Sequence, residues 1–207
     1  MIRASDRILS MRKIRERIRD GSQVESAPID LAPANCRNRK HLTPEPIDSL
    51  ISASWVIPVE PAGVLLPDSS VAIRDGRIVA ILPTREALAR FDAQSHQTLA
   101  DHVLMPGLVN AHTHAAMSMM RGLADDLPLM TWLRNHIWPT EARHVSDAFV
   151  HDGTLLACAE MLRGGVTTFN DMYFYPGSSA QAALRSGMRA AVGIIAIEFP
   201  TAYASDP

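Results

Sequence analysis

The sequence predicts an α/β protein in which a small β module precedes an alternation of strands and helices. Three observations lead to this class. Residues 46–105 form short β-like runs separated by turn residues, and after Pro106-Gly107 apolar runs alternate with helical segments. The chain of 207 residues is 47% hydrophobic, which is enough to build one or two buried cores. Strands that alternate with helices of this length imply parallel βαβ units.

The first 43 residues differ in charge from the rest. Residues 1–42 carry 10 Lys and Arg against 5 Asp and Glu, whereas the remaining residues carry 10 Arg, no Lys and 17 Asp and Glu. We therefore interpret residues 1–43 as a basic extension and expect it to be disordered. An amphipathic helix, a transit peptide and a nucleic-acid-binding arm are the alternatives. We do not expect nucleic acid as a partner, because no aromatic residue interleaves with the charges.

The composition predicts a soluble protein of the cytoplasm with no membrane partner. No apolar run approaches the roughly 18 residues of a membrane-spanning helix, and the start lacks the apolar core of a secretory signal. Cys36 and Cys158 lie far apart in segments of different character, so we expect free thiols and neither a disulfide framework nor a CxxC metal site.

Residues 44–105 are predicted to form the small β module. The run "IDSLISASWVIPVEP" alternates as a strand and is broken at Pro58. The run "VLLPDSSVAIRDGRIVAILP" carries Asp75-Gly76 between two β-branched stretches, which predicts a hairpin. Residues 84–92 suit a brief helix or a loop, and "HQTLADHVLMPG" reads as one or two further strands.

Residues 106–207 are predicted to contain three strand-helix units. "LVNAHTH" is the first strand, and a helix through "LMTWLRNHIW" is expected to stop at Pro139. Ser146 is the expected N-cap of a helix through "DAFVHDGTLLACAEMLR", which ends at Gly164-Gly165 before the strand "VTTFNDM". "SSAQAALRSG" is the third helix and "MRAAVGIIAIEF" the third strand. About 100 residues can only begin a (β/α)₈ barrel, which needs roughly 250, and an open doubly wound sheet is the alternative.

The spacing of His112 and His114 indicates a candidate metal site. Side chains two residues apart in a strand point to the same face, so the two imidazoles can share one divalent ion. The alternative is that both histidines only make hydrogen bonds in a turn, since this short motif is not specific. Asp171 ends the second strand on the same side and could act in catalysis, although Asn170 and Asp171 could equally hold loop backbone.

Longer stretches around this pair resemble a known family. "PGLVNAHTH" resembles the first-strand signature of the amidohydrolase superfamily, in which an apolar strand after Pro-Gly ends in two metal-binding histidines. "NAHTHAAMSMMRGLADDLPLMTWLRNHIWPTEARHV" and "DMYFYP" are similar to the branch that holds methylthioadenosine/S-adenosylhomocysteine deaminases and the related triazine hydrolases. The resemblance covers residues 46–207 and leaves residues 1–43 unmatched.

The resemblance implies a fold and a set of site residues. The fold would be the start of a (β/α)₈ metal-dependent hydrolase barrel, preceded by a β-sandwich-type module and incomplete in this chain. His112 and His114 would be ligands of one divalent metal, zinc in the first place and iron as the alternative. Trp132 would line the nucleoside pocket, and Glu141 would bind ribose hydroxyls. The remaining ligands and the general acid/base Glu belong to later barrel strands, so no catalytic residue is expected before Pro207.

The implied reaction is the hydrolytic deamination of an adenine-type nucleoside, such as methylthioadenosine or S-adenosylhomocysteine. Hydroxide supplied with the help of the metal would attack the ring carbon that carries the amine, and ammonia would leave. A triazine chlorohydrolase and a guanine deaminase keep the same fold and are alternatives. A non-catalytic truncated fragment is the alternative for the 207-residue chain alone. The expected partner is a small aminated heterocycle or nucleoside, and a homo-oligomer is left open for a full-length protein.

Overall fold

The computed structural model describes residues 43–198, 200–201 and 203–206, and these divide after Pro106 into two compact units. The extension expected at residues 1–43 lies outside the described residues except for its last residue, and so does Cys36. In the part of the chain that is described, no helix has the length and apolar character needed to cross a bilayer.

The first unit is a four-stranded sheet with one short helix. The strands are β1 (Glu45–Val56), β2 (Leu66–Arg74), β3 (Arg77–Pro83) and β4 (Phe91–Leu104), and helix α1 (Thr84–Arg90) joins the last two. The strand order is β3-β2-β1-β4, in which β1 pairs antiparallel with β2 and parallel with β4. The predicted hairpin is confirmed, since Asp75 and Gly76 connect β2 to β3 with φ angles of 50° and 68°.

Two hydrophobic clusters hold this sheet together, and β1 contributes to both. Ile47 and Leu50 pack with residues of β2, β3 and α1 in one cluster, while Ala53 and Val56 pack with Leu66 in the other. The strand therefore buries residues along its whole length, as expected of a central strand with a neighbour on each side.

The second unit contains a parallel sheet with helical connections. Its strands are β5 (Leu108–Thr113), β6 (Val166–Met172) and β7 (Arg189–Gly193), in the order β5-β6-β7. The segments between β5 and β6 are a 3₁₀ helix (Ala115–Met120), α2 (Leu129–Trp132), a π-helical turn (Leu133–Ile137), α3 (Trp138–His144) and α4 (Asp147–Arg163), and α5 (Pro176–Ser186) connects β6 to β7. The predicted α/β class is confirmed.

The predicted limits of α4 are also confirmed. The hydroxyl of Ser146 accepts a hydrogen bond from the Phe149 N–H at 3.2 Å, which satisfies one of the free amides of the first turn. The helix ends at Gly164, and Gly165 has a φ of 80° that a residue with a side chain rarely adopts. Strand β6 starts with the next residue.

The expected helix stop at Pro139 is wrong. The helical path continues through the π-helical turn into α3 and ends at His144. Proline lacks the N–H that an α-helix interior needs, but Pro139 lies in the first turn of α3, where this loss costs little. The hydroxyl of Thr140 donates to the carbonyl of His136 at 2.6 Å and satisfies an acceptor in this turn.

Helix α4 packs closely on the 3₁₀ helix that follows β5. A Cβ atom at Gly153 would lie 2.7 Å from the carbonyl oxygen of Ala116, a distance that real Cβ atoms do not show. Ala116 is fully buried at this contact. The absence of a side chain at Gly153 therefore sets how closely the segment after His114 approaches α4.

Candidate functional site

The carboxyl ends of β5 and β6 bring the predicted histidine pair next to the polar end of the neighbouring strand. The pairing of the two strands is irregular between Asn110 and Thr113. Side-chain amides make hydrogen bonds in this stretch: Asn110 accepts from the His112 N–H at 3.3 Å, and Asn170 donates to the carbonyl of Ala111 at 3.1 Å. The asparagines thus support the end of β5 where the regular ladder is interrupted.

The rings of His112 and His114 lie next to each other. Their centroids are 5.0 Å apart, and the ring planes are inclined by 81°. Two imidazoles bound through nitrogen to one tetrahedral ion, at about 2.0–2.1 Å, have ring centres roughly 5 Å apart. The arrangement of the pair is therefore compatible with two ligands of one ion.

A hydrogen bond fixes the tautomer of His114. Its Nδ1 lies 2.5 Å from the carbonyl oxygen of Met172, at the end of β6. Since a carbonyl can only accept, Nδ1 carries the proton and Nε2 of the neutral ring keeps its lone pair. Histidines that bind metals commonly donate their second nitrogen to a carbonyl or carboxylate in this way.

Asp171 holds the backbone that follows the pair. Its side chain is fully buried, and Oδ1 accepts a hydrogen bond from the Ala115 N–H at 2.8 Å. The second oxygen, Oδ2, has no hydrogen-bond partner among the described residues. Of the two roles that the sequence left open for Asn170 and Asp171, the structure shows both side chains bonded to loop or strand backbone.

Glu141 is linked to the end of β6 by a tyrosine. The Tyr173 hydroxyl donates to Oε1 of Glu141 at 2.8 Å, and the Tyr173 ring lies 6.3 Å from the His114 ring. Burial raises the pKa of Glu141, while the hydrogen bond from Tyr173 and the nearby His114 act in the opposite direction. Burial also raises the pKa of Tyr173, and Glu141 raises it further. The phenol therefore keeps its proton and acts as the donor.

Trp132 lies on the wall of a surface cavity of about 490 Å³. Its indole N–H donates to the carbonyl of Leu123 at 3.1 Å, and its half-buried ring packs against the cluster that contains Tyr173. The cavity is otherwise lined by Met117, Ser118, Met120 and the loop from Arg121 to Leu127. His112, His114 and Glu141 do not line it, so the structure places Trp132 beside a separate depression.

No larger metal-binding group surrounds the histidines in the described part of the chain. Groups of three or more His, Cys, Asp or Glu that could hold an ion are absent there. The described residues thus offer a pair of ligands at this point, whereas a catalytic zinc site usually has three protein ligands and water.

Comparison with known proteins gives the family. A sequence profile described as "Amidohydrolase family" matches residues 103–205. The chain is 52% identical over 162 residues to a 5-methylthioadenosine/S-adenosylhomocysteine deaminase of Saccharophagus degradans. This chain belongs to the amidohydrolase family. The match covers 78% of the chain but 36% of that relative, so the chain spans about a third of the length of the curated amidohydrolases it matches.

Solved structures of amidohydrolases agree with the sequence match. A crystal structure of an adenosine deaminase from Xanthomonas campestris with bound zinc has a TM-score of 0.78 and 53% identity, over 79% of this chain and 37% of that one. The guanine deaminase of E. coli has a TM-score of 0.64 at 22% identity, over 77% of this chain and 40% of that chain. At that identity, the second likeness shows the fold alone.

Sequence reasoning missed two contacts of this amidohydrolase site. Tyr173 was part of the resembling stretch "DMYFYP" but had no assigned role, although its position directly after a parallel strand places it at the edge of the sheet where sites form. The carbonyl of Met172 could not have been found, because a backbone acceptor leaves no signal in the sequence.

Proposed function

We propose that this chain is part of a metal-dependent hydrolytic deaminase that acts on adenine-type nucleosides, with methylthioadenosine and S-adenosylhomocysteine as the expected substrates. His112 and His114 are two ligands of one divalent ion, with zinc expected first and iron as the alternative. The substrate class follows the names of the relatives, and the metal follows the zinc in the adenosine deaminase structure.

The observation that carries this proposal is the geometry of the histidine pair. The ring centroids are 5.0 Å apart, and the bond from His114 Nδ1 to the Met172 carbonyl leaves Nε2 available as a ligand. A divalent ion held there supplies hydroxide from water near neutral pH, which is the nucleophile that hydrolytic deamination needs.

The same proposal assigns the two units of the chain. Residues 44–105 are the small β module, and residues 106–207 are the first three strand-helix units of a (β/α)₈ barrel. The share of the relatives that the chain covers, about a third, supports this extent. The remaining metal ligands and the general acid/base group then belong to the later strands of such a barrel.

The other two predicted residues bind the nucleoside in this proposal. Glu141 accepts hydrogen bonds from the ribose hydroxyls, and its half-buried position next to Tyr173 supports this role. Trp132 lines the nucleoside pocket through its aromatic face, and its packing against the cluster that contains Tyr173, the partner of Glu141, supports this role.

Ammonia release from the complete gene product tests the proposed function. The protein is stripped of metal with a chelator, reloaded with zinc or ferrous ion, and supplied with methylthioadenosine, S-adenosylhomocysteine, adenosine, guanine and a chlorotriazine. We expect ammonia from the adenine nucleosides only. Ammonia from guanine alone, or chloride from the triazine alone, would assign another amidohydrolase reaction, and no product from any of them would refute the proposal.

Metal content tests the role of the pair separately from turnover. We expect the variants His112→Ala and His114→Ala to bind less than a tenth of the zinc of the wild type, as measured by elemental analysis after gel filtration, because each removes one of few ligands. His151→Gln is the matched control, since His151 lies on α4 and contacts Asp152. Normal zinc content in both site variants would contradict the assignment.

A further inference from the structure

One buried hydroxyl connects two elements that are far apart in the sequence. Tyr173 follows β6 directly, whereas Glu141 lies on α3, and the hydroxyl of the first donates to the carboxylate of the second at 2.8 Å. The Tyr173 side chain is well shielded, because the residue is 3% exposed and belongs to the cluster formed with Ala116, Ile137 and Val150. Its ring has little freedom to move, so the direction of the hydroxyl is set by packing.

We propose that Tyr173 is a positioning residue, which orients the Glu141 carboxylate toward the two ring hydroxyls of the ribose. This inference rests on the proposed function, because it takes Glu141 as the group that binds ribose. Tyr173 itself does not touch the substrate in this arrangement. It acts by holding Glu141 in one rotamer.

The hydrogen-bond capacity of the carboxylate supports this division of roles. An ionised carboxylate offers about four lone-pair sites on two oxygens and has no proton to donate. The Tyr173 hydroxyl occupies one site on Oε1, and Oε2 has no hydrogen-bond partner among the described residues. The remaining sites can accept two neighbouring hydroxyls, which is the pattern that the ribose of a nucleoside presents.

The surroundings of the pair affect the protonation of both side chains. Tyr173 holds its proton because burial and Glu141 both raise its pKa. Two influences on the pKa of Glu141 oppose each other, since burial raises it while the hydrogen bond from Tyr173 lowers it. A glutamate in this half-buried place therefore depends on the tyrosine to stabilise its charged form.

The same short stretch of chain also contacts the histidine pair. The Met172 carbonyl binds His114 Nδ1, and the next residue, Tyr173, binds Glu141. Consecutive residues at the end of β6 thus hold the candidate metal ligand and the candidate ribose-binding carboxylate. This connection relates the position of the candidate metal ligand to that of the candidate ribose-binding carboxylate, and so to where the base of a bound nucleoside would lie relative to the metal.

Kinetics of the complete gene product with Tyr173→Phe test the inference, with adenosine and dideoxyadenosine as paired substrates. The variant removes one oxygen and keeps the ring. We expect KM for adenosine to rise about tenfold, the effect of losing one hydrogen bond to a charged group, while kcat stays within about twofold. For dideoxyadenosine, which lacks the ribose hydroxyls, KM should equal that of the wild type.

Further variants exclude a purely structural effect. Glu141→Asp keeps the charge but is too short to reach the Tyr173 hydroxyl, so it should show the same loss that is confined to adenosine. The double variant Tyr173→Phe/Glu141→Ala should be no weaker on adenosine than Glu141→Ala alone, because without the carboxylate the Tyr173 hydroxyl has no group to position. Tyr203→Phe removes an exposed hydroxyl elsewhere and should behave as the wild type.

The outcomes separate this inference from the proposed function. If the wild type deaminates adenosine and Tyr173→Phe leaves KM unchanged, or raises it equally for both substrates, the positioning role is refuted while the deaminase function stands. If the loaded wild type deaminates no nucleoside, the proposed function fails and this inference fails with it. A loss confined to adenosine supports the positioning role.

Discussion

Single residues at the end of β6 control both parts of the candidate site. Asp171 binds the Ala115 amide, the Met172 carbonyl binds His114, and Tyr173 binds Glu141. Three consecutive residues therefore contact the segment after β5 and helix α3. Because two of these contacts use buried side chains, the positions of the groups they bind depend on the packing around β6.

At this scale, the raised pKa of Glu141 predicts a stability change that depends on pH. Burial favours the protonated form of Glu141 in the folded chain, so the pKa of this carboxyl is higher in the folded than in the unfolded state. As the pH rises from below the unfolded pKa through the folded pKa, the ionising carboxyl therefore lowers the free energy of unfolding. Glu141→Gln removes this cost and can still accept from Tyr173. We expect the variant to be slightly more stable at pH 7, by less than about 1 kcal/mol because the group is half exposed.

Thermal unfolding of the wild type and of Glu141→Gln between pH 3.5 and pH 8, approximately the range in which a glutamate with a raised pKa titrates, measures this effect. The two proteins should have equal stability at the acidic end and separate as the pH rises. Glu141→Asp serves as a control that keeps the ionisable group. A difference that is the same at every pH would show that the charge is not its cause.

The site residues differ in how far the sequence could predict them. His112 and His114 could be paired from the two-residue repeat of a strand, which is a local property. Trp132 and Glu141 came from the family resemblance, since neither has a spacing that marks it. The contact between Tyr173 and Glu141 depends on where β6 and α3 meet in space, and no local pattern carries that information.

In the second unit, a π-helical turn and a proline interrupt the regular geometry of the helical segment between β5 and α4. Pro139 was expected to end a helix, yet the helical path continues from the π-helical turn into α3, with Pro139 in the first turn of α3. The start and end of α4 could be predicted from Ser146 and Gly164 because caps are local signals. A π-helical turn has no such signal, so the course of the helix through Pro139 could not be predicted.

The close approach of α4 to the 3₁₀ helix gives a prediction at the scale of elements. Alanine favours a helix over glycine by about 1 kcal/mol, but at Gly153 the added Cβ would lie 2.7 Å from the Ala116 carbonyl. The clash should outweigh the gain, so we expect Gly153→Ala to lower the free energy of unfolding by about 1–3 kcal/mol.

Urea unfolding measures this difference, with Gly177→Ala as the matched control. Gly177 lies in α5, and a Cβ there would have no atom within 4 Å, so this variant should be neutral or more stable by up to about 1 kcal/mol. If Gly153→Ala were as stable as its control, the two helices would not be in the close contact described.

Because the 3₁₀ helix follows His114, we also expect Gly153→Ala to reduce zinc binding.

At the scale of the whole molecule, the two units have separate cores and different sheet types. The first is a mixed sheet with a parallel β1–β4 pair, and the second is wholly parallel. The class of each unit could be predicted because the hydrophobic pattern changes near Pro106. Before it, the pattern is that of consecutive strands, and after it strand patterns alternate with helix patterns. The order of strands in the first sheet could not, because the pairing of β1 with β4 joins segments far apart in the sequence.

The parallel sheet predicts how the 207-residue chain behaves in solution. Among the described residues, β5 and β7 each pair on one side only, and Val109 on β5 is 65% exposed. An open strand edge with exposed apolar residues favours pairing with another chain. We therefore expect the chain to self-associate, and we expect Val109→Lys to reduce association because a charge at the edge opposes pairing.

Gel filtration with light scattering at several concentrations measures the association. Leu184→Lys is the matched control, since Leu184 is 80% exposed but lies on helix α5 and not on a strand. A reduced mass for Val109→Lys alone would locate the contact at the edge of β5. An equal reduction for both variants would assign the association to apolar surface in general, and a monomeric wild type at every concentration would contradict the prediction, because the edge would then be protected without a partner.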